Sequence, residues 1–168
     1  YADQPLRKRE IVPLPGDFHI DITYHARKEY DPPRDLRTNP WLGYEIYDPH
    51  LLFEREHFFE FVQAGVRAGF VFDEPINVLK RCRSLLMHGR QIWMDLQFVN
   101  KDPGPQEIAK YLKSILHAVN AIAEFNGAPL PERRLLLDFP ARADAAGIPG
   151  SSAGLLSLLG APQADSDT

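Results

Sequence analysis

Phe18-His19-Ile20-Asp21-Ile22-Thr23-Tyr24-His25 alternates apolar and polar side chains, the two-residue period of a strand with one face on a core. Phe18, Ile20, Ile22 and Tyr24 fall on one face; His19, Asp21, Thr23 and His25 fall on the other. The apolar row is expected to pack inward. That leaves a carboxylate between two imidazoles on the opposite side, the way a sheet presents an acid to a metal or a substrate. Upstream, Pro15-Gly16-Asp17 is a turn, so Leu6 to Leu14 is predicted as the preceding strand. Downstream, Asp31-Pro32-Pro33-Arg34-Asp35 is a loop, because paired prolines remove amide donors and bias the preceding residue away from helix. Gly43-Tyr44-Glu45-Ile46-Tyr47 reads as a further short strand, ending at Asp48-Pro49.

Beyond residue 50 the period becomes helical. A first helix is predicted from Leu51 to Phe70, with Leu52, Phe53, Phe58, Phe61, Val62 and Val66 as its apolar stripe. Asp73-Glu74-Pro75 opens a second, running to Met94. Asp102-Pro103-Gly104-Pro105 interrupts the chain, and a third helix extends from Pro105 to Asn126 with Gly127 as its stop. A fourth lies within Pro131–Ala145, a last amphipathic piece spans Ser152–Leu159, and the tail from Pro162 is expected to be disordered. The fold class is therefore α+β: a small mixed sheet over residues 1–49, a four- to five-helix antiparallel bundle over 50–161, and a tail over 162–168.

Composition narrows the functional classes. The 168 residues are 44% hydrophobic and include ten Phe, enough for a substantial core. A net charge of −4 disfavours a general nucleic-acid surface. The single cysteine, Cys82, excludes a disulfide framework and a thiolate zinc cluster, which fits a reducing, cytoplasmic compartment. No apolar run approaches a membrane span and no signal peptide is visible. The first residue is Tyr1 rather than Met, which leaves open a segment upstream.

The order of these features resembles the polymerase-β-like nucleotidyltransferases, the superfamily that includes the aminoglycoside adenylyltransferases. The resemblance rests on a strand with one central acid and on Ile46-Tyr47-Asp48-Pro49 leading into a helix. It rests further on Ala118-Val119-Asn120-Ala121-Ile122-Ala123-Glu124-Phe125-Asn126-Gly127, followed by Pro131-Glu132-Arg133-Arg134-Leu135-Leu136. It covers roughly residues 6–160, in pattern more than in diagnostic residues. It implies transfer of AMP from ATP to a hydroxyl of a small-molecule acceptor, such as an aminoglycoside. Two magnesium ions would be held by three acids, because hard cations take carboxylate oxygens. Asp21 matches the third acid, as catalytic residue and metal ligand. Arg133 and Arg134 match the basic position that helps hold the nucleotide's phosphates. The family's upstream Gly-Ser turn and Asp-x-Asp strand do not precede Asp21. Gly150-Ser151 and Asp165-Ser166-Asp167 are no substitute, because that pair lies in a polar end with no strand to fix it. The chain is thus expected to be a distal part of such an enzyme, with the first two acids upstream of Tyr1.

Other residues carry weaker signals. Arg90, with Lys80, Arg81 and Arg83, makes the second helix basic and offers a triphosphate-facing patch, or a solvated face. Glu60 and Asp95 are candidates for a general base, and Asp48 for a helix cap. His50, Glu54 and His57 have the spacing of a metal face. Trp41, Tyr44, Tyr47 and Trp93 could stack on a base or sugar, or serve the core. Two alternatives to an enzyme stand: a non-catalytic nucleotidyltransferase-like or antitoxin-type module, and an α+β interaction domain whose helical stripe buries a partner helix, with Phe58 and Phe61 uncovered. Oligomerisation is open in every case.

Overall fold

The computed structural model describes residues 9–70, 75–98 and 103–160. It begins with a two-stranded antiparallel ribbon, β1 (Arg9–Pro13) and β2 (His19–Thr23), with Ile11 opposite Asp21 and Val12 opposite Ile20. Gly16 and Asp17, both at positive φ, turn the chain between them. Residues opposite one another share a face. One face therefore carries Arg9, Ile11, His19, Asp21 and Thr23, and the other Glu10, Val12, Ile20 and Ile22. The alternation expected from the sequence holds, but the expected core does not cover it. Phe18 is 71% exposed and Ile20 48%. The first three residues of the predicted first strand, Leu6 to Lys8, lie outside the described residues.

Two short 3₁₀ turns, Arg27–Tyr30 and Pro33–Thr38, lead to α1 (Leu42–Tyr47). The segment Gly43–Tyr47 is thus helix, not a third strand. Its alternation misled because Leu42, Gly43 and Ile46 are buried together at helical spacing. Asn39 starts the helix: its side-chain oxygen accepts from the N–H groups of Trp41 and Leu42, both at 3.0 Å. Gly43 is required, since a Cβ there would lie 2.4 Å from the Leu36 carbonyl oxygen.

The next helix, α2 (Phe58–Arg67), starts seven residues later than its hydrophobic pattern suggests. Glu54 explains the start, because its carboxylate accepts from the Phe59 and Glu60 N–H groups at the helix N-terminus. Leu52 and Phe53 therefore stay outside the helix and exposed. Tyr30, Leu36, Leu42, Ile46, Val62, Val66 and Phe70 form a first apolar core among these elements.

Helices α3 (Pro75–Gln97) and α4 (Pro105–Ala123) follow as predicted, within a few residues at their ends. They run antiparallel, as shown by the Arg81–Glu124 contact at one end and the Trp93–Tyr111 ring contact at the other. Gly89 marks their closest approach; a Cβ there would meet the Ser114 carbonyl oxygen at 2.9 Å. The Gly104 N–H donates to Glu107 Oε2 at 3.1 Å at the start of α4, with Pro105 in the first turn. A 3₁₀ turn, Glu124–Asn126, ends the helix before Gly127. Asn120 straps the following loop by bonding both the N–H and the carbonyl of Leu130.

Helix α5 (Leu135–Ala145) and α6 (Gly150–Leu158) are the last elements among the described residues. A second core forms here from Ile115, Val119, Ala123, Leu130, Leu135, Phe139, Ala143 and Leu155. The fold is a small antiparallel ribbon followed by several packed helices. Among the described residues, no helix is long and apolar enough to cross a membrane. The predicted disordered tail, with Asp165 and Asp167, lies outside the described residues.

Candidate functional site

Asp21 stands at the centre of the ribbon's solvent face. Arg9, two positions away diagonally, clasps it: Arg9 Nε donates to Oδ1 at 2.8 Å and Nη2 donates to Oδ2. The guanidinium lowers the carboxyl's pKa by hydrogen bond, keeping it ionised. Both side chains are solvent-exposed, so the pair is readily opened by a competing cation or anion.

A cleft of about 300 Å³ opens shortly after β2, lined by Arg27, Lys28, Tyr30, Asp31, Phe58 and Phe61 among others. Arg27 donates to Glu56 at 3.3 Å and lies 4.2 Å above the Phe58 ring. Phe61 is 69% exposed at its edge. The lining mixes Lys28 and the Glu56-paired Arg27 with Asp31, beside the uncovered ring of Phe61. Sequence reasoning missed this cleft. The adjacent basic pair Arg27-Lys28 just after a strand was the available signal.

The predicted phosphate-binding residues are dispersed. Arg90 lies on the exposed side of α3, beside an apolar groove. Arg133 is exposed in a 3₁₀ turn, Glu132–Arg134. Arg134 is held by Asp138 through two bonds of 2.7 and 2.9 Å, which hold the Asp138 carboxyl below its usual range. Among the described residues, no hydrogen bond or ion pair joins Asp21 to Arg90, Arg133 or Arg134. The basic patch expected on the second helix is broken. Lys80, Arg83 and Arg90 are exposed, but Arg81 is fully buried.

Arg81 is the most constrained polar group described. Its Nε donates to Glu124 Oε1 at 2.9 Å, and its Nη1 donates to the carbonyls of Arg37 and Phe70 at 2.6 and 3.1 Å. Its guanidinium lies 4.0 Å over the Phe70 ring. Burial pushes the Glu124 carboxyl up to about 7, against the opposing pull of Arg81. Arg81 Nη2 and Glu124 Oε2 are buried without a hydrogen-bond partner. Of the aromatics proposed for stacking, Tyr44 and Tyr47 pack around Phe70 instead. The Tyr44 hydroxyl donates to the Gly127 carbonyl at 2.7 Å.

Trp41 meets a pair of imidazoles, His88 and His117, whose ring centroids are 4.6 Å apart. His117 is buried, and its pKa falls to about 4, first through desolvation and then through the charge of His88. Among the described residues, the potential metal-binding group is Glu54, His57 and Glu60, without His50. Its members already have structural work. Glu54 accepts from the start of α2, and His57 Nδ1 sits 2.6 Å from Glu60 Oε2. Glu60 is therefore committed to His57, and Asp95 accepts from Gln91 at 2.7 Å.

No protein-family model, no curated protein and no solved structure matches the chain.

Proposed function

We propose that this chain is part of a nucleotidyltransferase-type catalytic unit that moves AMP from Mg–ATP to a small-molecule hydroxyl, with Asp21 as one metal-binding acid. The observation that carries this is the two-stranded ribbon among the described residues, with Asp21 on one face and exposed apolar side chains on the other. Two isolated strands are marginal in water, and the apolar side chains of Phe18 and Ile20 remain uncovered. Further strands laid beside β1 or β2 would extend the sheet and set their own acids alongside Asp21, while a layer packed on the opposite face would cover Phe18 and Ile20. Asp21 would hold the magnesium ion in place of Arg9, whose guanidinium would then be available to a phosphate. The Arg27–Lys28–Phe61 cleft supports the same reading, since it offers charge and a ring face close to the end of the strand.

The test is calorimetric titration of Mg–ATP into the full-length native protein, with Asp21→Asn alongside. Asparagine keeps an acceptor for Arg9 while removing the charge a hard cation needs. Magnesium-dependent binding, weakened at least about tenfold in the variant, is the expected result. ATP binding that is equal with and without magnesium, or absent in the native protein, refutes the proposal.

A further inference from the structure

Helix α3 has two apolar sides. One faces α4 and the cores through Cys82, Leu85 and Gly89. The other faces outward: Ile76, Leu79, Leu86 and Trp93 are 53%, 50%, 52% and 43% exposed. Together with the exposed Arg83 and Arg90 they are spaced 3-4-3-4-3 along the helix. That is the heptad spacing of a helix pair, with arginines at two of its six positions. Met87 and Met94 flank the seam, and Ile108 and Leu112 extend it onto α4, all about half exposed. An open groove of about 410 Å³ beside it is lined by Leu86, Trp93, Tyr111 and Ile115.

We propose that this face is covered by a second copy of the chain, with the two α3 helices antiparallel about a two-fold axis near residue 88. Two observations favour a second copy. At roughly 100 Å² per half-exposed side chain, the eight apolar residues offer on the order of 800 Å², the contribution of one partner to a standard stable interface. The part of the seam from Arg83 to Trp93 also matches itself. Turned antiparallel about residue 88, it sets Arg83 against Trp93 of the other copy and Arg90 against its Leu86. Each guanidinium then meets an apolar or aromatic side chain, with cation–π stacking at the tryptophan. A parallel pair would instead set like charges against each other at both positions. The proposal does not depend on the nucleotidyltransferase reading.

Sedimentation equilibrium of the full chain tests it, with Leu86→Lys and Leu86→Glu as paired variants and far-UV circular dichroism as the folding control. Lysine at position 86 faces Arg90 of the other copy and is expected to raise the dissociation constant at least about a hundredfold. Glutamate there faces the same guanidinium and is expected to cost less than about tenfold. Trp93→Lys and Trp93→Glu, which face Arg83, repeat the contrast if either Leu86 variant fails to fold. A native chain that stays monomeric at about 100 μM overturns the proposal and leaves the face to a different protein. Equal weakening by lysine and glutamate at both positions overturns it as well, because the register alone predicts the difference.

Discussion

Stability measured against pH should be nearly level between about 4.5 and 6.5, and should tilt in opposite directions in two single variants. Glu124 is buried with its pKa raised from 4.5 to about 7, so in this window the folded chain binds more protons there than the unfolded chain. Its contribution is complete below 4.5 and is lost as pH rises through 7. His117 is buried with its pKa lowered from 6.5 to about 4, so the unfolded chain binds more protons. Its contribution is complete above 6.5 and is lost as pH falls towards 4. Each slope approaches about 1.4 kcal/mol per pH unit at most, and the two oppose. Glu124→Gln removes one, leaving stability that falls by on the order of 2 kcal/mol from pH 6.5 to 4.5. His117→Phe removes the other and keeps a ring against Trp41, leaving stability that rises by a similar amount over the same interval. Urea denaturation at half-unit pH steps, followed by circular dichroism, reads both slopes. A native profile that is steep, or variants whose slopes match the native one, would refute the assignment of these two groups.

The buried Arg81–Glu124 pair gives a second test. Glu124→Leu alone strands the Arg81 guanidinium and is expected to cost about 3–5 kcal/mol in denaturant titration. Arg81→Met should cost less because the raised Glu124 carboxyl takes up a proton, and the double variant should recover much of the Glu124→Leu loss. Equal additive costs would mean that the two groups do not sense each other. At the α1 closest approach, Gly43→Ala should destabilise by about 2 kcal/mol, because the neighbouring Leu36 carbonyl is backbone and cannot swing aside. Thermal melting of that variant should show a clear drop, while Gly154→Ala, with open space around it, should show none.

Long periodic segments were readable from sequence because local signals and burial agreed. In α4, Gly104, Pro105 and Gly127 bracket an apolar row at helical spacing, and the observed helix ends within a 3₁₀ turn of the predicted stop. Gly43–Tyr47 was not readable by alternation, since five residues can satisfy both periods at once; Asn39-Pro40 ahead of it was the better signal. The onset of α2 depended on Glu54 reaching forward to two amides, a tertiary choice that periodicity does not encode. The candidate site divides in the same way. That Asp21 stands on an exposed strand face followed from the two-residue period. That Arg81 would leave its basic neighbours for the interior did not, because its partners Arg37, Phe70 and Glu124 come from segments far apart in the chain.

The two apolar cores do not share a buried residue. Beside the Trp41 contact with His88 and His117, directed polar contacts span them: Arg81 reaching from α3 to Arg37, Phe70 and Glu124, and Tyr44 reaching to Gly127. Contacts between greasy surfaces tolerate sliding, since a shifted patch is nearly as well buried. A guanidinium with directed acceptors on several sides is satisfied in one arrangement only. The junction therefore behaves as a key rather than a glue. Changing the side chains inside either core should leave the angle between the two halves intact, and changing Arg81 should free it.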